Sequence, residues 1–227
     1  MKKRAIIFAS GTVQGGGSGC QNLIEAIETG LLDVKLECII SNHSNGGVAQ
    51  IAKSHHQKFW HFDRVFRLNP EESANTYRHL IIDNQADLVI LSGWNLIIPY
   101  GCYDPAKTIN VHPGLLPQFG GEGKFGDIVH QSALNAYLLN NEQITAVTFH
   151  FVTHEIDGGP IFFQYPLKVR DTDSVETLRE RAKAIEHAYY PWAANLVVQG
   201  EIGWDGRNVN SFKIPDWYRF HKLPKNY

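Results

Sequence analysis

Along the first half of the chain, short apolar runs alternate with segments of helical spacing, and this alternation restricts the fold more than any other feature. Ala5 to Ala9 is the first run; Gly11 to Gly19 is mostly small residues, and Leu23, Ile24, Ala26 and Ile27 then recur at helical spacing until Gly30. Leu36 to Ile40 predicts a second strand, followed by a polar turn from Ser41 to Gly47 and a short helix ending near His55. Phe59 to Phe62 reads as a short strand. Pro70 to Asn84 reads as a helix opened by proline and acidic residues, Asp87 to Ser92 as a buried strand and Thr108 to Val111 as the next. Parallel neighbours need a covering segment between them, so the pattern predicts an α/β fold with a single doubly wound, mostly parallel sheet of Rossmann-like kind.

Beyond it, Ile128 to Leu139 is spaced as a helix, Ala146 to Val152 and Ile161 to Val169 as extended runs, and Ser174 towards Gln199 as a long helix capped by Asp173 or Ser174. With 227 residues and about 150 per typical domain, one domain over residues 1–202 is expected. The aromatic segment 203–227, with Trp204, Phe212, Trp217, Tyr218 and Phe220, is then a tail packed on it.

Hydrophobic residues make up 43% and charged residues 19%, enough to bury a core. Lys plus Arg number 21 against 23 Asp plus Glu, so the chain lacks the basic excess of a nucleic-acid binder. No run approaches the roughly 20 apolar residues that span a bilayer. The apolar run after Met1 to Arg4 breaks at Ser10-Gly11, short of the ~7–15 residues of a secretory core. Cys20, Cys38 and Cys102 are widely spaced and read as reduced thiols, so a cytoplasmic protein is expected; monomer and homodimer both stay open.

Ligands of open α/β sheets bind beyond the carboxyl ends of the strands. Two segments there carry chemistry. Asn110-Val111-His112-Pro113-Gly114 sets a carboxamide and an imidazole two residues apart, on one face of a strand. Asp157-Gly158-Gly159-Pro160 sets a carboxylate in a tight glycine turn. An amide to steady an oxyanion, an imidazole to move protons and a carboxylate to tune it suit acyl transfer to an amine. Read without chemistry, the asparagine satisfies backbone and the glycines make a turn. The eleven histidines contain no His-Glu-x-x-His run, so no metal site is expected. Ser41-Asn42 follows the second strand where a dinucleotide fold would carry an acidic ribose ligand, which argues against NAD.

Asn110-Val111-His112-Pro113-Gly114-Leu115-Leu116-Pro117, with His150-Phe151-Val152 and Asp157-Gly158-Gly159-Pro160, resembles the folate-dependent formyltransferases. Glu186-His187-Ala188-Tyr189-Tyr190-Pro191 is similar to the helix motif of the branch that formylates glycinamide ribonucleotide in purine synthesis. The resemblance implies 10-formyltetrahydrofolate as co-substrate, no metal, and glycinamide ribonucleotide as acceptor. It makes Asn110, His112 and Asp157 catalytic: Asn110 bonds the formyl oxygen, His112 is the cationic proton donor, and Asp157 raises the imidazole pKa so that the ring stays protonated near neutral pH. Folate is expected at Trp94, Asn95, Leu96, Ile97 and Asn110, and along Thr153, His154, Glu155, Ile156 and Asp157. The acceptor's phosphate is expected at Cys20, Gln21 and Asn22, where a helix opens, with Lys183 approaching it and Glu186 on the ribose. Cys20-Gln21 departs from the family pattern, and the family's arginines near Asn95 and Ala74 are missing. Gln118 to Gly126 is longer and richer in glycine, a flap from which Lys124 or His130 would reach substrate. A sugar-nucleotide N-formyltransferase would share the formyl-transfer residues, and a non-catalytic folate or phosphate binder would bind without turnover.

Overall fold

The computed structural model describes residues 1–63 and 69–220. Seven strands form one sheet: β1 (Lys3–Phe8), β2 (Val34–Ser41), β3 (Phe59–His61), β4 (Leu88–Leu91), β5 (Thr108–His112), β6 (Ile144–Phe151) and β7 (Ile161–Lys168). Their order is β3-β2-β1-β4-β5-β6-β7. The first five are parallel, whereas β6 runs antiparallel to β5 and β7 antiparallel to β6.

Period two explains how a strand serves two layers. Ala5, Ile7 and Ala9 enter a core shared with α1 (Ser18–Glu28), α2 (Gly47–Ser54), α4 (Asp127–Asn140) and α5 (Val175–Gln199). Ile6 and Phe8 enter the opposite core, with Tyr77 of α3 (Pro70–Arg78). β4 is buried along its whole length, which is why it reads as a continuous apolar run rather than an alternating one. The helix expected to Asn84 is α-helical only to Arg78 and continues as a π-helical turn, His79–Asp83. Asn69 caps α3 by accepting from Glu71 N and Glu72 N, and Ser174 caps α5 in a capping box with Thr177.

The segment after Ile202 folds back on the sheet edge. Gly203 and Lys213 exchange backbone hydrogen bonds (3.1 and 2.8 Å), and Gln164 N donates to Phe220 O. Tyr218 stacks on Trp192 at 5.7 Å and Phe220 on Phe163 at 5.4 Å. Among the described residues no helix is long and apolar enough to cross a membrane.

Candidate active site

β5 carries Asn110 and His112 towards the carboxyl end of the sheet, while Ile109 and Val111, which alternate with them, enter the core. Antiparallel pairing sets Asn110 opposite His150 of β6, and Asn110 Nδ2 lies 3.2 Å from His150 Nε2. Asp157 sits in the turn after β6 with φ 56°, a left-handed conformation that Asp tolerates. Gly159 follows so close to the Phe151 carbonyl that no side chain fits there.

Asp157 bridges two rings. Its Oδ2 is 3.5 Å from His112 Nδ1 and its Oδ1 3.5 Å from His150 Nε2. The outer nitrogens face backbone carbonyls: His112 Nε2 lies 3.1 Å from Phe119 O and His150 Nδ1 2.8 Å from Phe151 O. Carbonyls only accept, so both outer nitrogens carry hydrogens. The nitrogens whose protonation can change are therefore the two aimed at Asp157. The flap contributes backbone: Gly121 N–H donates to Asp157 Oδ2 at 3.1 Å, and an added Cβ at Gly120 would stand 3.2 Å from the Asp157 Cβ.

Burial holds the His112 pKa below the ordinary histidine value; the Asp157 charge pushes it up but does not prevail, and His150 pushes it further down. Burial likewise pushes the Asp157 carboxyl up, but His150, His112 and the Gly121 N–H together hold it below the usual carboxylate range. At neutral pH the site therefore holds a neutral imidazole beside an ionised carboxylate.

A second cluster forms where strand order reverses, between β1 and β4. α1 begins there behind Gly17, at φ 88°, with no side-chain cap and no acidic residue in its first turn. Gln21 N–H makes the first intrahelical bond, to Gly17 O at 3.0 Å, so the N–H groups of Ser18, Gly19 and Cys20 precede the ladder. A Cβ on Gly19 would lie 2.5 Å from both Glu186 Oε1 and Ser92 Oγ. Burial pushes the Glu186 carboxyl up to about 7, with Lys183 opposing.

Residues 3–194 match the profile of the family described as formyl transferase. The chain belongs to the formyl transferase family. Its curated relatives include the chloroplastic phosphoribosylglycinamide formyltransferase of Arabidopsis thaliana, 29% identical over 210 residues, 89% of this chain and 68% of that one. That of Haemophilus influenzae is 28% identical over 204 residues, 89% and 90% of the two chains. Among solved structures, glycinamide ribonucleotide transformylase 1 of Symbiobacterium toebii is 26% identical with a TM-score of 0.80 and 95% of each chain covered.

In this formyl transferase the expected protonation of His112 is corrected, and the other expected residues are placed by the fold. Asp157 does push the His112 pKa up, as its charge requires, but the expectation of a protonated ring fails because burial outweighs one carboxylate. Cys20 is no substrate ligand through its side chain: the thiol points into the core, fully buried, with its pKa pushed up to about 12. Gln21 points outward and bonds Glu25 at 2.8 Å; Asn22 is half-buried one residue further along α1. Lys183 pairs with Glu180 at 3.2 Å on the helix surface. Trp94 and Leu96 pack on the second core, Trp94 edge-on to Phe8 at 5.3 Å, so their side chains stabilise the wall. Asn95 Oδ1 accepts from Ser10 Oγ (2.8 Å) and Asn42 Nδ2 (3.2 Å), tying three strand ends together. Ile97 is exposed. In the loop after β6, Thr153 O accepts from Tyr103 Oη at 2.8 Å, while His154, Glu155 and Ile156 are exposed. Lys124 is turned back onto α4, donating to Ser132 Oγ at 3.1 Å. His130 is buried near His112, with its pKa pushed down to about 4, burial being the main cause. Among the described residues no group of three His, Cys, Asp or Glu side chains is arranged to hold a metal ion.

The sequence marks His150 only as part of the His150-Phe151-Val152 motif and does not show that it faces Asn110 and Asp157. His150 occupies an inward strand position between Phe149 and Phe151; only the antiparallel β5–β6 register reveals its place opposite Asn110.

The opposed shifts of Glu186 and His130 predict a pH signature. Glu186, raised when folded, adds stability as pH falls from about 7 to its unfolded value of 4.5. His130, lowered when folded, removes stability as pH falls from 6.5 to about 4. In the native chain the two oppose each other. Glu186→Gln removes the first, so its thermal midpoint falls between pH 7 and pH 5 by roughly 5 °C more than that of the native chain, on a scale of about 2–4 °C per kcal/mol. Parallel midpoints in paired thermal melts would refute this.

Proposed function

We propose that this enzyme transfers the formyl group of 10-formyltetrahydrofolate to the amine of glycinamide ribonucleotide, in de novo purine synthesis. The observation that carries the reading is the convergence of Asn110, His112 and Asp157 at the end of β5. It is supported by the names of the relatives and by the second cluster at Gly19 and Glu186. We assign the chain to the cytoplasm, in keeping with three free, buried cysteines.

The proton balance of the free site suits an amine acceptor. Near neutral pH an α-amine, with a pKa of about 8, arrives mostly as ammonium and cannot attack. The neutral His112 beside ionised Asp157 accepts one proton at Nδ1, directly or through a water, and becomes imidazolium paired with carboxylate. The freed nitrogen lone pair then forms a bond to the formyl carbon, and the carbonyl electrons move onto oxygen. One Asn110 Nδ2 hydrogen is directed at His150; the other is available to the oxyanion, which the new imidazolium also stabilises. On collapse the bond from carbon to the folate N10 breaks and N10 takes the proton held at His112; the attacking nitrogen then gives its second proton to the freed His112 Nδ1, which releases it to solvent. The ring returns to its neutral state, and the product leaves as an amide.

For the acceptor, the uncapped start of α1 offers N–H groups to a phosphate, and Glu186 offers a carboxylate to ribose hydroxyls. Incubating the purified protein with both substrates is the direct test. Folate absorbance changes only when the ribotide is present; an equal rate without it indicates hydrolysis, and turnover of an amino-sugar nucleotide in its place moves the acceptor to the other branch of the family.

A further inference from the structure

The switch-point cluster contains a polar side chain that the reaction above does not use. Ser92 lies directly after β4, and its backbone N–H is committed to Phe8 O at 2.9 Å. Its hydroxyl is engaged by no protein group among the described residues, although the residue is only 6% exposed. Two oxygens each 2.5 Å from one point, the Cβ position of Gly19, are at most about 5 Å apart; these are Ser92 Oγ and Glu186 Oε1. No direct bond joins them. Glycine at position 19 keeps the space between them empty of protein, because any side chain there would collide with both.

We propose that Ser92 is a second ribose ligand of the acceptor, its hydroxyl and the Glu186 carboxylate together holding the vicinal 2′,3′-diol. The chemistry of the pair fits a diol. In its ionised form the Glu186 carboxyl only accepts, so alone it fixes hydroxyl donors and leaves their lone pairs unmatched; a serine hydroxyl both donates and accepts. The first-turn N–H groups of α1 lie beside the pair, placing the phosphate of a ribose 5-phosphate one helix turn from its diol. A 2-deoxyribose or an acyclic acceptor would leave one of the two oxygens unmatched, which is how a buried polar site rejects an analogue lacking a hydroxyl.

This inference rests on the ribotide reading, and its test separates the two. Binding of ribose 5-phosphate and 2-deoxyribose 5-phosphate is measured by calorimetry on the native chain and on Ser92→Ala, alongside turnover of glycinamide ribonucleotide. The native chain is expected to bind the ribose compound about tenfold more tightly, the scale of one hydrogen bond; Ser92→Ala reduces that preference to about threefold or less. KM for the ribotide then rises about tenfold in Ser92→Ala with kcat within twofold and folate affinity unchanged, a split that a general loss of structure does not produce. Ser92→Thr, which keeps the hydroxyl, recovers the ribose preference if it folds. A native-like preference in Ser92→Ala, or equal affinity of the native chain for both sugars, overturns the proposal. Ribose discrimination without turnover of glycinamide ribonucleotide leaves the proposal standing and overturns the acceptor assignment instead.

Discussion

Asp157→Asn lowers turnover by about 10²-fold or more while leaving acceptor affinity within a few fold, the scale expected for losing a positioned acid–base group. The substitution keeps shape and keeps an oxygen for the Gly121 N–H, so the flap stays seated. What it removes is charge. Asp157 is the principal upward influence on a ring that burial already drags below the ordinary histidine pKa; without it, the imidazolium that must form when the amine surrenders its proton has no counter-ion in a buried site. The loss therefore falls on the chemical step, and single-turnover measurements at saturating substrates should show it in full. The pH dependence supplies a second readout. In the free enzyme His112 must be neutral to accept the proton, so kcat/KM falls on the acid side, below the usual histidine range, and in Asp157→Asn that limb moves to still lower pH. Turnover within about threefold of native, or an acid limb shifted upward, would refute the role given to Asp157.

The same cluster shows which parts of the site were readable in the residues and which were not. Asn110 and His112 could be paired without coordinates because two positions apart on a strand is one face. Asp157 could be singled out only through the family resemblance, because an Asp-Gly-Gly run is by itself commonly a plain turn, and only the fold joins it to β5, some forty-five residues earlier. His150 was beyond that reach: it belongs to a buried alternating strand, and its function comes from a register that no local pattern encodes. The sign of the His112 shift failed for a related reason. Charge is written in the sequence, but the desolvation that opposes it depends on how much of the chain closes over the ring, including the Phe119 carbonyl. Cys20 illustrates the third limit. Position near a helix start marked it as a ligand, yet helical rotation turns the thiol at that position inward, leaving only its N–H beside the acceptor.

His112→Ala is expected to cost turnover about 10²-fold to 10⁴-fold, and the double variant with Asp157→Asn little more than the more severe of the two single changes. The reason is that the ring and the carboxylate act as one proton acceptor, and groups that act as a unit do not contribute additively. The truncation also strips the Phe119 carbonyl of its donor, and a buried acceptor left unmatched costs about 1–3 kcal/mol of stability. A lower thermal midpoint is therefore expected, whereas Asp157→Asn leaves the Phe119 bond intact. Two measurements separate chemistry from this structural loss. Folate affinity should persist within a few fold in His112→Ala, because most expected folate positions lie in the loops after β4 and β6, and Asp157 keeps the Gly121 N–H and its place beside His150. Added imidazole should restore part of the rate, since the cavity left beside Asp157 matches the missing ring. Losses that multiply in the double variant would mean that His112 and Asp157 act on different protons, and the bridging carboxylate would then have to serve His150, its other neighbour at 3.5 Å.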